Sequence, residues 1–463
     1  MRHGLDSPRA EGCGPDPFPA KISSRLPLTT TAHVNTQALA ESLAETSAGS
    51  SRETSGKSSG KSSGSARLRS IDALRGAAAL AVVLYHAVGQ PKEGAGTFAT
   101  MLGHAAHAVC SYGYAGVFLF FVISGFCIHL SQAKAQAEGR APRVRFFSFW
   151  RRRVRRLYPP YLVALLLYLW VAYATGWLHL DRFFAWDLSA HLLMLHNFDA
   201  RTCYSINSVF WTLAIEEQLY LAYFLLLFLR RRWGWTATLA FCFGARVACL
   251  FALNGLREWK GIDIPVPEAA ATHWFTWALG ALAVESAFGL VRLPRWCRSL
   301  SVGAVGLVAA ATLAWLLPIY ESHPALHEVG WLLVHPLWGF GFFAILNRAV
   351  AAERAWRTSA ATPEWIARLA AVGLVSYSLY LTHQLVLLET WKFEAIPIPA
   401  TLVALVVMVP LCLVFAWLFF WCFERPFLAR PTTVMTRAHA TRRAAPPAIE
   451  ESPATAVVPE GAL

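Results

Sequence analysis

Two ionisable residues, Arg75 and His86, interrupt the first long apolar segment of the chain. Such groups are costly inside a membrane and usually serve a function there. The two residues are eleven positions apart, which in a helix makes about three turns, so both side chains share one face, about 16 Å apart along the axis. A histidine in this setting can act as a general base. The structural alternative is that Arg75 extends to the membrane interface while His86 is a buried, hydrogen-bonded histidine.

A second candidate group is a pair of adjacent carboxylates, Glu216 and Glu217, which follow Trp211 in the fourth apolar segment. Successive helical residues point about 100° apart, so only one of the two can face a given cavity. A carboxylate beside a histidine fixes its tautomer, and we expect Glu216 to orient or assist His86 in this way. The alternative is a carboxylate pair that is hydrogen-bonded to a neighbouring helix.

Polar side chains in two further apolar segments complete the candidate site. The direction of the ninth segment predicts His383 at the same depth as His86 and Glu216, although a helix-packing role for His383 is the alternative. Ser124 lies among Gly113, Gly116 and Gly125 in the second segment, where small residues indicate close helix packing more often than ligand binding. The candidate substrate-binding residues are Ser124, Trp211, Glu217, Tyr377 and His383.

A run of arginines, from Arg151 to Arg156, precedes the third apolar segment. Guanidinium groups bind phosphate through charge-assisted and often bidentate hydrogen bonds. With Arg75, this run would form a phosphate site at one face of the membrane. The alternative is the ordinary excess of basic residues on the cytoplasmic side of membrane proteins.

Membrane helices must position all of these residues. Of the 463 residues, 56% are hydrophobic and only 15% are charged, whereas a soluble domain carries about 25% charged residues. The apolar blocks are about 18–23 residues long, enough to cross a bilayer as a helix. The sequence predicts an all-α polytopic membrane protein with about ten transmembrane helices. The predicted spans lie near 71–89, 113–131, 159–176, 208–229, 233–254, 272–290, 300–318, 328–347, 370–390 and 400–422, and 183–196 is a shorter re-entrant or interfacial segment.

The basic residues predict the orientation. With a cytoplasmic N-terminus, the inner connections and the C-terminal tail hold 24 Lys and Arg, and the outer connections hold six. This bias predicts a multi-pass protein of the cell (inner) membrane with both termini in the cytoplasm. Because the basic residues alternate with the spans, the net charge of +13 does not indicate a nucleic-acid partner.

The two ends of the chain differ from the membrane region in composition. Residues 1–66 are rich in Ser, Thr, Gly and Ala, and residues 431–463 are rich in Pro and Ala. Such segments cannot bury a core, so we expect disordered cytoplasmic tails around a membrane domain at 67–430. No apolar core of a signal peptide precedes the first span. The nine cysteines show neither CxxC pairs nor zinc-ligand spacing, so no metal site is predicted.

Six motifs, in their order and spacing, resemble the acyltransferase 3 family of integral membrane acyltransferases. They are Ile71–Gly76 leading to Tyr85–His86, Gly116–Phe126, Arg152–Pro159, Trp211–Tyr220, Ser376–His383 and Glu424–Phe427. The resemblance covers about 68–428, nearly the whole membrane region. One departure is Ala73, which stands where the family often has glycine.

The resemblance implies transfer of an acyl group, most often acetyl, from cytoplasmic acyl-CoA to a hydroxyl of a carbohydrate or similar acceptor. It implies that Arg75 and His86 are essential and that Arg153 and Arg156 are the spaced pair that binds the acyl donor. The expected co-substrate is acyl-CoA, in particular acetyl-CoA, without a tightly bound cofactor, and the acceptor is a glycan or a glycosylated small molecule. His86 would activate the acceptor hydroxyl or carry the acyl group briefly. The rival hypothesis is a transporter or flippase of a lipid-linked glycan, in which buried His and Glu residues relay protons.

Overall fold

All secondary structure in the described part of the chain is helical. The computed structural model describes residues 68–89, 97–140, 144–178, 180–261, 264–320, 322–358, 362–388 and 400–428. No strand occurs among these residues, so the all-α prediction is confirmed for them. The two predicted tails, 1–66 and 431–463, lie outside the described residues.

The α-helices follow one another with short connections. In chain order they are α1 (Arg69–Ala87), α2 (Thr97–Cys110), α3 (Gly116–Ala137), α4 (Phe146–Ala174), α5 (Arg182–Leu192), α6 (Ala200–Cys203), α7 (Trp211–Lys260), α8 (Ala270–Ala287), α9 (Leu300–Leu316), α10 (Pro324–Thr358), α11 (Glu364–Leu374), α12 (Ser376–Leu387), α13 (Ala400–Val403) and α14 (Val409–Phe419). Two π-helical turns, Ala404–Met408 and Phe420–Glu424, continue α13 and α14.

Several of these helices have the length and apolar composition of membrane spans. Within the described residues there are five such stretches, or six if the bent pair α11 and α12 forms one span. The five are Met101–Ala137, Phe146–Ala174, Trp211–Lys260, Ala325–Glu353 and Thr401–Phe427, and α9 is a shorter apolar helix. These helices are those of a multi-pass membrane protein, and the count of about ten spans stays a prediction.

Helix α4 differs from its predicted span because it begins at Phe146, well before residue 159, and continues through Pro159 and Pro160. Membrane helices tolerate proline because their neighbours satisfy the freed backbone groups. The arginine run therefore belongs to a helix instead of a loop. Arg153 and Arg156, three positions apart, lie on one helical face.

Two predicted spans, 208–229 and 233–254, are joined in α7 across a kink at Gly234, whose φ is 76°. Positive φ costs little for glycine and much for other residues. The predicted span 370–390 is instead divided, because α11 and α12 meet at an angle of 71°. The sequence did not predict either geometry.

Close backbone contacts between helices set the positions of the site residues. A Cβ added to Gly125 of α3 would lie 1.9 Å from the carbonyl oxygen of Trp277 in α8. A Cβ added to Gly76 of α1 would lie 2.1 Å from the carbonyl oxygen of Leu369, and one added to Gly373 would lie 1.8 Å from that of Asp72. Only glycine allows such approaches. The predicted packing role of Gly125 is confirmed.

A buried carboxylate, Glu285 of α8, connects α3 with both halves of α7. Arg230 donates from Nε to Oε1 at 2.8 Å and from Nη2 to Oε2 at 2.7 Å. Trp235 Nε1 donates to Oε2 at 2.7 Å, and His129 Nε2 lies 3.0 Å from Oε1. Arg230 and Trp235 lie on opposite sides of Gly234, so the Glu285 carboxylate fixes the kink of α7.

Replacing Glu285 with glutamine should destabilise the fold, because the change leaves the Arg230 charge partly buried without its counterion. Loss of one partner of a buried ion pair costs about 3–5 kcal/mol. We expect a lower unfolding temperature and a lower folded yield in detergent. Glu364→Gln is the matched control, since Glu364 is exposed and pairs with exposed Arg368. Equal unfolding temperatures for the two variants would contradict the role of Glu285.

Candidate active site

A pair of histidines forms the first half of the site. His86 Nδ1 of α1 lies 3.3 Å from His383 Nε2 of α12. The same His86 Nδ1 lies 2.9 Å from the carbonyl oxygen of Val82. His383 Nδ1 lies 2.9 Å from the carbonyl oxygen of Tyr380, and the two imidazole centroids are 5.1 Å apart. The structure thus brings together two residues from distant parts of the sequence, as their predicted depths required.

These contacts fix the tautomer of each neutral ring. A carbonyl oxygen can only accept a hydrogen bond, so Nδ1 carries the hydrogen in both His86 and His383. His383 then presents the lone pair of Nε2 to the Nδ1–H of His86, which is shared between this nitrogen at 3.3 Å and the carbonyl oxygen of Val82 at 2.9 Å. The lone pair of His86 lies on Nε2, and its side chain is half-buried whereas that of His383 is fully buried. His86 Nε2 is therefore the atom of the pair that is suited to take a proton from a hydroxyl.

Tyr380 and Trp211 lie beside the histidine pair and connect α12, α7 and α8. The Tyr380 hydroxyl lies 2.7 Å from Thr212 Oγ1, and its ring centroid lies 6.0 Å from that of His383. Trp211 precedes Thr212 at the start of α7, and its ring lies 6.0 Å from the His273 ring of α8. Trp211 is half-buried at this position, and it is connected to the histidine pair through its neighbour Thr212 and through Tyr380.

Glu216 belongs to a different group from the one predicted. Its Oε1 accepts hydrogen bonds from Ser124 Oγ and from the Tyr220 hydroxyl, each at 2.6 Å. The Arg75 guanidinium interacts electrostatically with both Glu216 and Tyr220. A hydrogen bond between Glu216 and His86 is not found among the described residues, and His383 occupies the place expected for Glu216.

Three arginines gather around this carboxylate. Arg156 lies within electrostatic range of Arg75, Arg153 and the buried Glu424. The Arg153 guanidinium lies over the Tyr220 ring, 5.7 Å from its centroid. Helices α1, α4 and α7 therefore converge with the end of the last helix in one polar cluster, which we call the arginine cluster (Arg75, Arg153, Arg156, Glu216 and Glu424).

Glu217 and Tyr377 lie at the edge of the arginine cluster. The Tyr377 hydroxyl donates to the carbonyl oxygen of Leu157 in α4 at 2.9 Å. Glu217 is 5% exposed, and neither of its carboxylate oxygens has a hydrogen-bond partner among the described residues. The buried Nε of Arg153 likewise has none. Most buried polar groups have hydrogen-bond partners, so the lack of one at two neighbouring groups of the site calls for an explanation.

Two partners within the site were not predicted from the sequence. Tyr220 holds Glu216 from four positions further along α7, a spacing that brings side chains together on a helix. Glu424 accepts hydrogen bonds from the Oγ of Ser378 at 2.6 Å and from its backbone N at 3.2 Å. A carboxylate in an apolar segment is the signal that could have identified Glu424. In the described part of the chain, no group of three or more His, Cys, Asp and Glu side chains could hold a metal ion.

The two ring tautomers can be measured directly. ¹⁵N spectra of protein with labelled histidine should show Nδ1–H and unprotonated Nε2 for neutral His86 and His383, because both Nδ1 atoms contact carbonyl oxygens. The signals are assigned by their loss in His86→Asn and His383→Asn variants. An Nε2–H tautomer at His86 would contradict the geometry. Labelled His323, an exposed histidine, serves as a reference for an imidazole in water.

Comparison with known proteins agrees with the residues of this site. A family model described as an acyltransferase domain matches residues 68–421, well over half of the chain. No curated protein and no solved structure matches it. The matched range contains the histidine pair and all three arginines of the cluster. The chain therefore belongs to the acyltransferase 3 family of membrane acyltransferases and is an enzyme that transfers an acyl group.

Proposed function

We propose that the protein is a membrane O-acyltransferase that moves an acyl group, in particular acetyl, from acyl-CoA to a hydroxyl of a carbohydrate or similar acceptor. One observation carries the proposal. His86, whose Nε2 carries the lone pair, lies at one end of α1, and Arg153 and Arg156 lie near Arg75 toward the other end. The two groups are about 16 Å apart along the helix axis.

The arginine cluster supports an anionic acyl donor. Three guanidinium groups, those of Arg75, Arg153 and Arg156, lie close enough to repel one another. Such an arrangement favours binding of phosphate groups, which guanidinium binds through charge-assisted hydrogen bonds. The nucleotide of acyl-CoA supplies these phosphates. The excess of basic residues in the predicted inner connections suggests that they are bound from the cytoplasm.

The histidine pair supports hydroxyl activation at the other end of α1. As the acceptor oxygen attacks the thioester carbonyl, His86 Nε2 takes the hydroxyl proton. The carbon–sulfur bond then breaks, and the departing thiolate takes that proton from His86, so the products are an ester and free thiol. While His86 is protonated, its Nδ1–H donates a stronger, charge-assisted hydrogen bond to His383 Nε2. The same Nε2 would be the nucleophile if His86 carried the acyl group for a short time.

Glu216 acts through Arg75 in this scheme instead of through His86. Ser124 and Tyr220 hold the Glu216 carboxylate, and its charge attracts the Arg75 guanidinium. Trp211 and Tyr377 are proposed to contact the substrates, since both are half-buried next to the two groups. No tightly bound cofactor is needed for the proposed transfer.

The proposed enzyme spans the inner membrane about ten times, with both termini and the tails 1–66 and 431–463 in the cytoplasm. The membrane domain at 67–430 would then separate the donor in the cytoplasm from an acceptor on the other side. Helix α1 would connect the two compartments. The rival function, transport of a lipid-linked glycan, predicts no consumption of acyl-CoA.

Removal of the His86 imidazole should abolish acyl transfer. In purified membranes with radiolabelled acetyl-CoA and endogenous glycans, wild-type protein should transfer label to the glycan fraction. His86→Ala should reduce the rate by about 100-fold or more, the usual contribution of a general base, while the protein still inserts and unfolds at the wild-type temperature. His323→Ala, at an exposed histidine, should keep full activity. Full glycan acylation by His86→Ala would contradict this mechanism. Glycans that stay unlabelled with wild-type protein would favour the transport function.

Loss of either spaced arginine should weaken acyl-donor binding selectively. Arg153→Gln and Arg156→Gln each remove a charge-assisted contact to phosphate, so KM for acyl-CoA should rise about 10-fold. KM for the acceptor should stay unchanged. The control is Arg151→Gln, since Arg151 is exposed on the same helix. Equal increases in both KM values would count against a donor site at the arginine cluster.

A further inference from the structure

Several buried side chains lack a hydrogen-bond partner among the described residues, and two of them, Glu217 and Arg153, lie at the arginine cluster and are of complementary type. Both carboxylate oxygens of Glu217 are acceptors without a donor, and the Nε–H of Arg153 is a donor without an acceptor. Burial of such groups without a hydrogen bond is costly. A ligand that supplies both missing partners would remove this cost.

The unpartnered groups lie close together on neighbouring helices. The Arg153 guanidinium of α4 lies over the ring of Tyr220, and Tyr220 follows Glu217 by three positions on one face of α7. The charges that act on Glu217 are those of Glu216 and Arg153. Tyr158, on the same helix as Arg153, also interacts electrostatically with Glu217.

The chemistry of the two unpartnered groups on α4 and α7 specifies the missing group. A trans secondary amide has its N–H and its C=O on opposite sides of a planar unit. It can therefore accept a hydrogen bond from the Arg153 Nε–H on one helix while it donates to the Glu217 carboxylate on the other. A phosphate would repel Glu217, and an aliphatic chain would satisfy neither group.

We propose that Glu217 and Arg153 Nε form a subsite for a secondary amide of the pantetheine arm of the acyl donor. The inference rests on the proposed acyl-CoA donor. Two such amides separate the phosphates of acyl-CoA from its thioester. The subsite lies beside the arginine cluster, and the thioester must extend from that cluster about 16 Å along α1 to reach His86. Glu217 thereby helps to position the thioester.

Removal of the Glu217 carboxylate should have opposite effects on the stability of the protein and on its affinity for the acyl donor. Since the carboxylate has no hydrogen-bond partner among the described residues, Glu217→Leu should raise the unfolding temperature without ligand. A carboxylate with a structural role would show the opposite effect. Glu217→Gln serves as a second variant, because it keeps the size of the side chain and loses only the charge.

The experiment compares CoA with 3′-phosphoadenosine 5′-diphosphate, which has the same nucleotide phosphates but no pantetheine arm. Affinities are measured by calorimetry on the full-length protein in detergent, without acceptor. For wild-type protein CoA should bind more tightly. The advantage of CoA is the ratio of the Kd of the nucleotide to the Kd of CoA. In Glu217→Leu this ratio should fall about 10-fold, as expected for loss of a hydrogen bond to a charged group. The affinity for the nucleotide alone should not change. The control variant, Glu364→Leu, replaces an exposed carboxylate and should leave both affinities at their wild-type values.

An unchanged advantage of CoA in both Glu217 variants would overturn the subsite. A lower unfolding temperature of Glu217→Leu together with equal losses for both ligands would show a structural role and would also overturn it. An amide of the acceptor is the other source of the same chemistry. If N-acetylglucosamine binding weakens while the CoA advantage stays unchanged, the amide belongs to the acceptor and the proposal is wrong. Wild-type protein that binds neither CoA nor the nucleotide would overturn the proposed donor itself, a result distinct from failure of the subsite.

Discussion

The backbone contact between α1 and α11 is the constraint on which the site depends. At Gly76 and Gly373 the two helices approach so closely that a methyl group on either residue would collide with a carbonyl oxygen of the other helix. Helix α12 leaves α11 at an angle of 71°, so its direction relative to α1 is set at this contact. His383 reaches His86 because of that direction. The arginine cluster depends on the same helix, since Arg75 lies on α1 next to Gly76.

Two buried carboxylates show how differently the fold treats its charged groups. Glu285 accepts hydrogen bonds from Arg230 and Trp235 and contacts His129, so it has the partners that a buried charge needs. Glu217 has none. Evolution retains buried groups without partners mainly where function requires them, because replacement by an apolar residue would otherwise stabilise the protein. Glu285 therefore holds the kink of α7, whereas Glu217 is the residue that we propose for ligand binding.

The sequence predicted the all-α class correctly and the contacts less well, for physical reasons. Long apolar blocks identify helices, and the intramembrane cost of charge identified Arg75, His86, Glu216 and His383 as residues of interest. Depth alone then placed Glu216 beside His86. Its partners are set instead by local side-chain reach, since Tyr220 lies one turn away and Ser124 faces it from α3. Turns that depend on a single backbone torsion, such as the kink at Gly234, have no hydrophobic signature in the sequence.

The break between α11 and α12 also has an electrostatic consequence. A helix that begins inside the protein exposes unpaired N–H groups and the positive end of its dipole. Glu424 satisfies this end, because it accepts hydrogen bonds from the backbone N and the hydroxyl of Ser378. Much of its negative charge is thereby balanced by α12 itself. The carboxylate consequently neutralises Arg75 and Arg156 less than its proximity would suggest, so the break between α11 and α12 favours a net positive charge at these two arginines.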